Sequence, residues 1–189
     1  VELHGVYDVA HSSPNGPVSE GTAGNPVFIR GVSPSERPYI RRNWEVTGTY
    51  VILENLEFGP TADQSATGSL VVLAPTSHLA LRRSELHGTP KDGGMGIENW
   101  NGGRSGIDNV VIYGSSFHDN GDVSASFDQD NEGTHVGSHL RNLWVVDNEL
   151  YRNSGDGIQI NATEAFKATT HHIYVGRNVS HHNKQGGFW

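Results

Sequence analysis

The segment that decides the fold is Asn142-Leu143-Trp144-Val145-Val146-Asp147-Asn148-Glu149-Leu150-Tyr151. Apolar and polar residues alternate along it and are interrupted near Asn148, which is the pattern of two short β-strands joined by a tight bend. Three further segments align with it, at residues 78–88, 109–118 and 172–181, and a weaker copy occupies residues 50–58. The chain is therefore built from repeats.

The bend residues recur at nearly regular intervals. Counting from Asn55 to Ser84, Ser115, Asn148 and Asn178 gives spacings of 29, 31, 33 and 30 residues. A period near 30 suits one coil of a β-solenoid with variable loops. We expect the five bend residues to stack as an internal Asn/Ser ladder, because a buried amide can donate to one neighbouring coil and accept from the other. Asn also tolerates the left-handed conformation that a tight bend needs.

A third short strand precedes each pair, at residues 70–73, 96–100, 134–137 and 157–161, with a last candidate at 187–189. The sequence thus predicts an all-β fold, a right-handed parallel β-helix of about six to seven coils with three strands per coil. We expect residues 1–189 to form a single β-helix domain, a fragment of a longer solenoid truncated at both ends, because neither end reads as a polar cap. Open ends also favour end-to-end packing with further coils or protomers.

Composition excludes several classes of protein. The 189 residues contain no cysteine, which rules out a disulfide scaffold and a thiolate metal site. No apolar run approaches the length of a membrane helix, so no membrane partner is expected. The formal charge of -8 argues against a nucleic-acid partner, which needs a basic surface.

The segment Gly21-Thr22-Ala23-Gly24-Asn25-Pro26-Val27-Phe28-Ile29-Arg30-Gly31 precedes the repeats, and Gly5-Val6-Tyr7-Asp8 lies further upstream. Together with the alternation described above, these runs resemble the pectate-lyase-like superfamily of right-handed parallel β-helices. The resemblance implies a carbohydrate-active protein, secreted or at the cell surface, with a polysaccharide as its partner. It points to no single family within the superfamily, because many chemistries share this solenoid.

The outward positions of the first strand in each coil suggest a sugar-binding groove. We expect Glu98, His135, Gln159 and Trp189 to form a row, in which the indole stacks on a sugar and the polar groups bind hydroxyls. The place of Glu98 depends on whether Ile97 or Met95 points inward. The candidate substrate-binding residues are Gln159, Trp189, Asn161 and Lys167. An ordinary solvated face of the solenoid is the alternative interpretation.

Acidic loops beside this row suggest lyase chemistry. A lyase acting on an acidic polysaccharide needs a base for the C5 proton and a cation that neutralises the uronate carboxylate. His135 or Lys91 is the candidate base, and Glu98 completes the predicted catalytic set. Calcium prefers oxygen ligands, and the spacing of acidic residues in the loop suggests a site. The predicted calcium ligands are Asp128, Asp130 and Glu132.

Two other functions remain open from the sequence. A glycoside hydrolase needs two carboxylates about 5–10 Å apart, which Glu98 could form with Asp130 or with Asp156. A non-catalytic carbohydrate-binding, adhesive or fibre-forming solenoid needs no catalytic set. The third strands carry an outward column that we interpret as a stacked surface without metal. It consists of His87, His118, Tyr151 and His181.

Overall fold

The computed structural model describes residues 1–7, 18–41, 43–60, 70–90, 93–98, 106–127, 129–161 and 168–188. Within these ranges the regular structure consists of β-strands, and no helix is long and apolar enough to cross a membrane. In chain order the strands are β1 (Val6–Tyr7), β2 (Val18–Glu20), β3 (Val27–Arg30), β4 (Tyr39–Ile40), β5 (Trp44–Glu54), β6 (Glu57–Phe58), β7 (Leu70–Arg82), β8 (Glu85–His87), β9 (Met95–Glu98), β10 (Ile107–Tyr113), β11 (Ser116–His118), β12 (Thr134–Val136), β13 (Leu140–Val146), β14 (Glu149–Tyr151), β15 (Ile158–Ile160), β16 (His171–Gly176) and β17 (Val179–His181).

The strands stack in parallel on three faces of a solenoid. The long strands β5 and β7 contribute to two sheets. Their initial parts belong to the first sheet, together with β9, β12 and β15. Their remaining parts belong to the second sheet, together with β2, β3, β10, β13 and β16. The third sheet runs in the order β1-β4-β6-β8-β11-β14-β17. The prediction of a parallel β-helix is confirmed, with about five turns against the predicted six to seven.

The core fills the centre of the coils with apolar side chains from all three sheets. In the coil formed by β12, β13 and β14, Val136, Val145 and Leu150 are fully buried. Such burial stabilises the fold by about 1.5–3 kcal/mol for each large apolar side chain. In β9, Met95 and Ile97 both point inward, because they are two residues apart on one strand, and both are buried.

The predicted polar ladder lies at the corner between the second and third sheets. The backbone N–H of Ser115 donates to Oδ1 of Asn148 at 2.9 Å, and that of Asn148 donates to Oδ1 of Asn178 at 2.9 Å. The Asn148 amide also donates to the carbonyl of Ile112 at 3.0 Å. Ser84 continues the ladder by donating its backbone N–H to the Ser115 hydroxyl at 3.1 Å. The ladder is therefore confirmed from Ser84 to Asn178.

The prediction for Asn55 is wrong by one position. Leu56, whose N–H donates to Oγ of Ser84 at 3.2 Å, occupies the ladder position in that coil. Asn55 aligns instead with the residue before the ladder, which has a positive φ in the five coils from Asn55 to Arg177. These residues are Asn55 (54°), Arg83 (52°), Gly114 (58°), Asp147 (57°) and Arg177 (56°). The left-handed bend and the ladder thus belong to adjacent residues, and the ladder amides need no left-handed backbone.

A second ladder, which the sequence analysis missed, lies at the corner between the third and first sheets. The Asn120 amide donates to Oδ1 of Asn153 at 2.8 Å, and the Asn153 amide donates to Oδ1 of Asn183 at 2.9 Å. Thr89 ends the ladder by donating its hydroxyl to Asn120. The spacings of 31, 33 and 30 residues match those of the first ladder from Ser84 onward, so the signal was present in the sequence.

Candidate functional site

Two predicted site residues, His135 and Gln159, meet on the outer face of the first sheet. They are partners in the register of β12 and β15, and Nδ1 of His135 lies 3.0 Å from Oε1 of Gln159. An amide oxygen only accepts hydrogen bonds, so Nδ1 carries the proton of the neutral imidazole and Nε2 carries the lone pair. Gln159 therefore fixes the orientation and the tautomer of the His135 ring.

The predicted row is wrong at Glu98. His135 is in register with Gly96, and Gly96 with Val71, whereas Glu98 lies two residues further along β9. The cause is the core, because Met95 and Ile97 both take inward positions and leave the outward position beside His135 to Gly96.

The remaining substrate-binding candidates are only partly described. Asn161 is exposed at the end of β15, two residues beyond Gln159, and its N–H donates to the carbonyl of Val136 at 2.7 Å. It therefore lies beside the His135–Gln159 pair, and its role as a substrate contact stays a prediction. Four predicted site residues of any role lie outside the described residues, and their roles stay predictions. These are Lys91, Asp128, Lys167 and Trp189.

Two acidic residues stack in adjacent coils just before this row. Glu132 and Asp156 each lie two residues before the paired Thr134 and Ile158, and they are 3% and 1% exposed. Burial raises the pKa of Glu132 to about 8, and the neighbouring Asp130 and Asp156 act in the same direction. Glu132 is thus a protonated carboxylic acid at neutral pH. Asp156 Oδ1 accepts the N–H of Gly186 at 2.6 Å.

The predicted calcium ligands fit a cation in part. Burial is the main cause of the high pKa of Glu132, and the nearby Asp130 and Asp156 carboxylates raise it further, so a divalent cation beside these groups would lower it. Asp130 and Glu132 contribute two of the three predicted carboxylates. No three His, Asp or Glu side chains converge on a metal position within the part of the chain that the structure describes. A complete site depends on Asp128, which lies outside those residues.

A groove of about 640 Å³ lies at the corner between the first and second sheets. Its floor is a polar column at the corner where the second sheet begins. In register, this column consists of Thr49, Ser77, Asp108, Arg141 and His171. The sequence analysis missed the groove, although the column immediately precedes the start of each aligned repeat.

The groove presents hydrogen-bonding groups in fixed positions. Asp108 accepts from the Asn142 amide at 2.8 Å and pairs with the Arg141 guanidinium at 3.1 Å. His139 Nδ1 lies 2.9 Å from the Thr169 hydroxyl of the next coil. The Arg141 side chain is 59% exposed, so its remaining N–H groups are accessible. Hydroxyl, imidazole, carboxylate and guanidinium groups of this kind bind sugar hydroxyls and carboxylates.

The groove and the His135–Gln159 pair are separate parts of one surface. His135 is not among the groove-lining residues, but it lies six residues before Arg141 in the same coil. Six extended residues span at most about 20 Å. The imidazole therefore lies within about 20 Å of the groove.

The outward column of the third sheet is confirmed as a stack of rings. The ring centroids of His87 and His118 are 5.2 Å apart, those of His118 and Tyr151 4.7 Å, and those of Tyr151 and His181 5.1 Å. Nε2 of each histidine lies 3.0–3.1 Å from a glutamate carboxylate, which links the coils on this face. The column therefore stabilises the contact between successive coils.

Comparisons with known proteins agree with this architecture. The crystal structure of pectate lyase Pel9A is similar with a TM-score of 0.68 and 14% identity, over 96% of this chain and 44% of that one. The crystal structure of alginate lyase from Paenibacillus sp. str. FPU-7 gives 0.51 and 13%, over 77% and 60%. The chain thus spans less than two thirds of either structure. At these identities the likeness concerns the fold.

No curated protein matches the sequence. The family described as right handed beta helix region matches residues 41–189, which include every coil with a polar ladder and both parts of the candidate site. The three parallel sheets, the two ladders and this match lead to one conclusion: the chain belongs to the right-handed β-helix family.

Proposed function

We propose that this protein cleaves an acidic polysaccharide as a lyase, with His135 as the base. The observation that carries the proposal is the His135–Gln159 pair, which leaves the lone pair on Nε2. In this reaction Nε2 removes the proton from C5 of a uronate residue, the C–H electrons form the C4–C5 double bond, and the C4–O bond breaks. The leaving oxygen then takes up a proton. A β-helix fold like those of a pectate lyase and an alginate lyase is consistent with this chemistry.

The substrate chain would bind along the groove and extend past His135. Arg141 would bind a uronate carboxylate through the N–H groups that do not contact Asp108, and the column hydroxyls and imidazoles would bind sugar hydroxyls. Asn161 would contact the sugar next to His135. The protein would meet a polymeric substrate of this kind outside the cell or at its surface.

Calcium, if bound, would neutralise the uronate carboxylate and so make the C5 proton more acidic. Asp130 and Glu132 would hold it together with Asp128. The protein's own groups perform the other tasks, since His135 moves the proton and Arg141 orients the carboxylate. Lys91 remains the alternative base, and Lys167 and Trp189 remain predicted substrate contacts.

The test is incubation with a panel of acidic and neutral polysaccharides, with calcium and with a chelator. Two readouts are followed: ultraviolet absorbance of the unsaturated product, and release of reducing ends. Absorbance that appears with acidic polysaccharides establishes the lyase, and its loss with the chelator establishes the cation. Reducing ends without absorbance indicate hydrolysis and direct attention to Glu98, Asp130 and Asp156. If neither absorbance nor reducing ends appear with any polysaccharide, the proposal is wrong.

A non-catalytic carbohydrate-binding module is the second candidate function. The Asp108–Arg141 pair in the groove favours it, because such a pair binds sugar hydroxyls without any reacting group. Retention of the intact protein by an acidic polysaccharide, without cleavage, would select this function.

A further inference from the structure

An apolar stripe crosses the outer face of the second sheet. The register of β3, β5, β7, β10, β13 and β16 places six outward residues in one row, each from a successive coil. They are Phe28, Ile52, Ala80, Val111, Trp144 and Tyr174. Trp144 and Tyr174 are 40% and 50% exposed, and neighbouring strands lie about 4.8 Å apart.

The ring of Tyr174 lies along the sheet. A Cβ placed on Gly176 would come within 2.6 Å of the ring carbon Cε1 of Tyr174 and closer still to its hydroxyl, so the ring occupies the space that a side chain at position 176 would fill. The ring therefore lies over Gly176 and remains half exposed to solvent. Gly176 thereby makes Tyr174 a flat platform beside the Trp144 indole.

Ion pairs flank the two rings at both ends. Arg141 and its partner Asp108 lie three residues before Trp144 on the same side of the sheet, within the groove. Arg177 follows Tyr174 by three residues and contacts Asp147 through two hydrogen bonds of 2.7 and 2.6 Å. Each pair offers both a donor and an acceptor, and together they leave the platform without net charge.

We infer that Trp144 and Tyr174 form a polysaccharide-binding platform that extends the corner groove across the second sheet. Aromatic faces stack on the apolar C–H faces of sugar rings, and the flanking guanidinium and carboxylate groups bind hydroxyls at the edges. A protein partner would leave the paired charges at both ends desolvated, which a hydroxyl-rich polymer does not. The choice of polysaccharide rests on the proposed function, since the platform is continuous with the groove, but the platform requires no cleavage.

The experiment is native affinity electrophoresis in gels containing polygalacturonate, alginate or neutral cellulose derivatives. The variants are Trp144→Ala with Tyr174→Ala, and Gly176→Val, which displaces the Tyr174 ring while keeping both aromatic residues. Phe127→Ala is the matched control, because Phe127 is 64% exposed in a loop away from this sheet. Circular dichroism checks the fold of each variant, and sedimentation checks its oligomeric state.

We expect at least tenfold weaker retention by one or more of the polymers for the double variant, about threefold for Gly176→Val, and no change for Phe127→Ala. Retention equal to wild type in the folded double variant overturns the inference, and so does a wild-type dimer that the double variant converts to a monomer. Retention that depends on Trp144 and Tyr174 in a protein without lyase activity supports the platform and contradicts only the proposed function. Cleavage by a protein whose retention does not depend on either residue supports the proposed function and contradicts the platform.

Discussion

Two polar side-chain pairs connect neighbouring coils in the same part of this molecule, one outside the solenoid and one inside. Nδ1 of His135 lies 3.0 Å from the Gln159 amide oxygen on the outer face, and the Asn148 amide lies 3.0 Å from Oδ1 of Asn178 at the inner corner. The distances are alike, but Asn148 is only 2% exposed. If it loses a hydrogen-bond partner, water cannot reach the side chain to replace that partner.

The comparison shows that the role of a pair connecting two coils depends on whether it faces the interior of the solenoid or its outer face. Inside, a lost partner leaves a buried donor or acceptor without water, so the pair contributes to stability. Outside, water replaces a lost partner, so the pair contributes little to stability and the imidazole can take part in chemistry. The following experiments test this contrast.

The largest expected effect is on activity. His135→Ala removes the proposed base, and we expect turnover to fall by about 10²–10⁴-fold. The free energy of unfolding should change by less than about 1 kcal/mol, because His135 is only partly buried. Turnover is measured by absorbance of unsaturated product and stability by urea denaturation. Unchanged turnover would remove His135 from the mechanism.

Gln159→Leu sharpens this result. It keeps the imidazole but removes the acceptor that holds the proton on Nδ1, so a loss of about tenfold in turnover is expected. Gln159→Glu restores an acceptor and should recover more activity than the leucine variant. A leucine variant as active as wild type would show that Gln159 does not orient His135.

The second largest effect is on stability. Asn148→Leu leaves the N–H of Ser115 and the carbonyl of Ile112 without their side-chain partner, and we expect a loss of about 3 kcal/mol. Thermal unfolding measures it, with His135→Ala as the matched outer control. Equal melting temperatures for the two variants would show that inner and outer pairs contribute equally to stability.

The third effect depends on pH. The pKa of Glu132 is raised to about 8 in the folded protein, above its ordinary value of 4.5, so the folded state binds the proton more tightly than the unfolded one. The stabilising contribution of this proton is complete below pH 4.5 and is lost as pH rises through about 8. We expect wild type to lose about 2 kcal/mol of this contribution across that range.

Glu132→Gln keeps a neutral side chain of the same size and should flatten this pH dependence. Urea denaturation at pH 5 and pH 8 measures it for both proteins. If calcium binds beside Glu132, its addition at pH 8 should restore stability to wild type and not to the variant. Parallel pH profiles for the two proteins would show that Glu132 is not a buried acid.

The smallest expected effect is on binding in the groove. Arg141→Ala removes the accessible guanidinium, and we expect about tenfold weaker binding of acidic oligosaccharides with no change for neutral ones. Isothermal titration at two salt concentrations measures it, and Arg152→Ala on the third sheet is the control for lost positive charge. Equal weakening by both variants would indicate an effect of net charge and not of the groove.

The sequence predicted the repeat, the three strands per coil and the ladder, because each follows from a pattern that recurs about every 30 residues. The sequence pattern assigned Asn55 to the ladder because Asn suits both the ladder position and the left-handed position before it. Only the hydrogen bond from Leu56 to Ser84 shows that Leu56 occupies the ladder position. Thr89, Asn120, Asn153 and Asn183 repeat with the same spacing but were not recognised, since no apolar run follows them directly.

The site was less accessible to sequence reasoning. The meeting of His135 and Gln159 was predicted because both follow the same alternation in adjacent coils. Glu98 was misplaced because two apolar residues, Met95 and Ile97, compete for the inward position and the structure places both there. The groove depends on how far the first and second sheets diverge at their corner, which the residues within either sheet do not reveal.

The amino-acid sequence by itself thus determined the solenoid, since alternation and period decide which side chains are buried in each coil. Tertiary structure alone decided the register between coils, and with it which outward residues become neighbours. A register difference of one residue places Asn55 outside the ladder. A difference of two residues along β9 places Glu98 away from the position beside His135. The physical reason is that outward side chains of different coils gain little energy from one another, so the packing of the core sets their alignment.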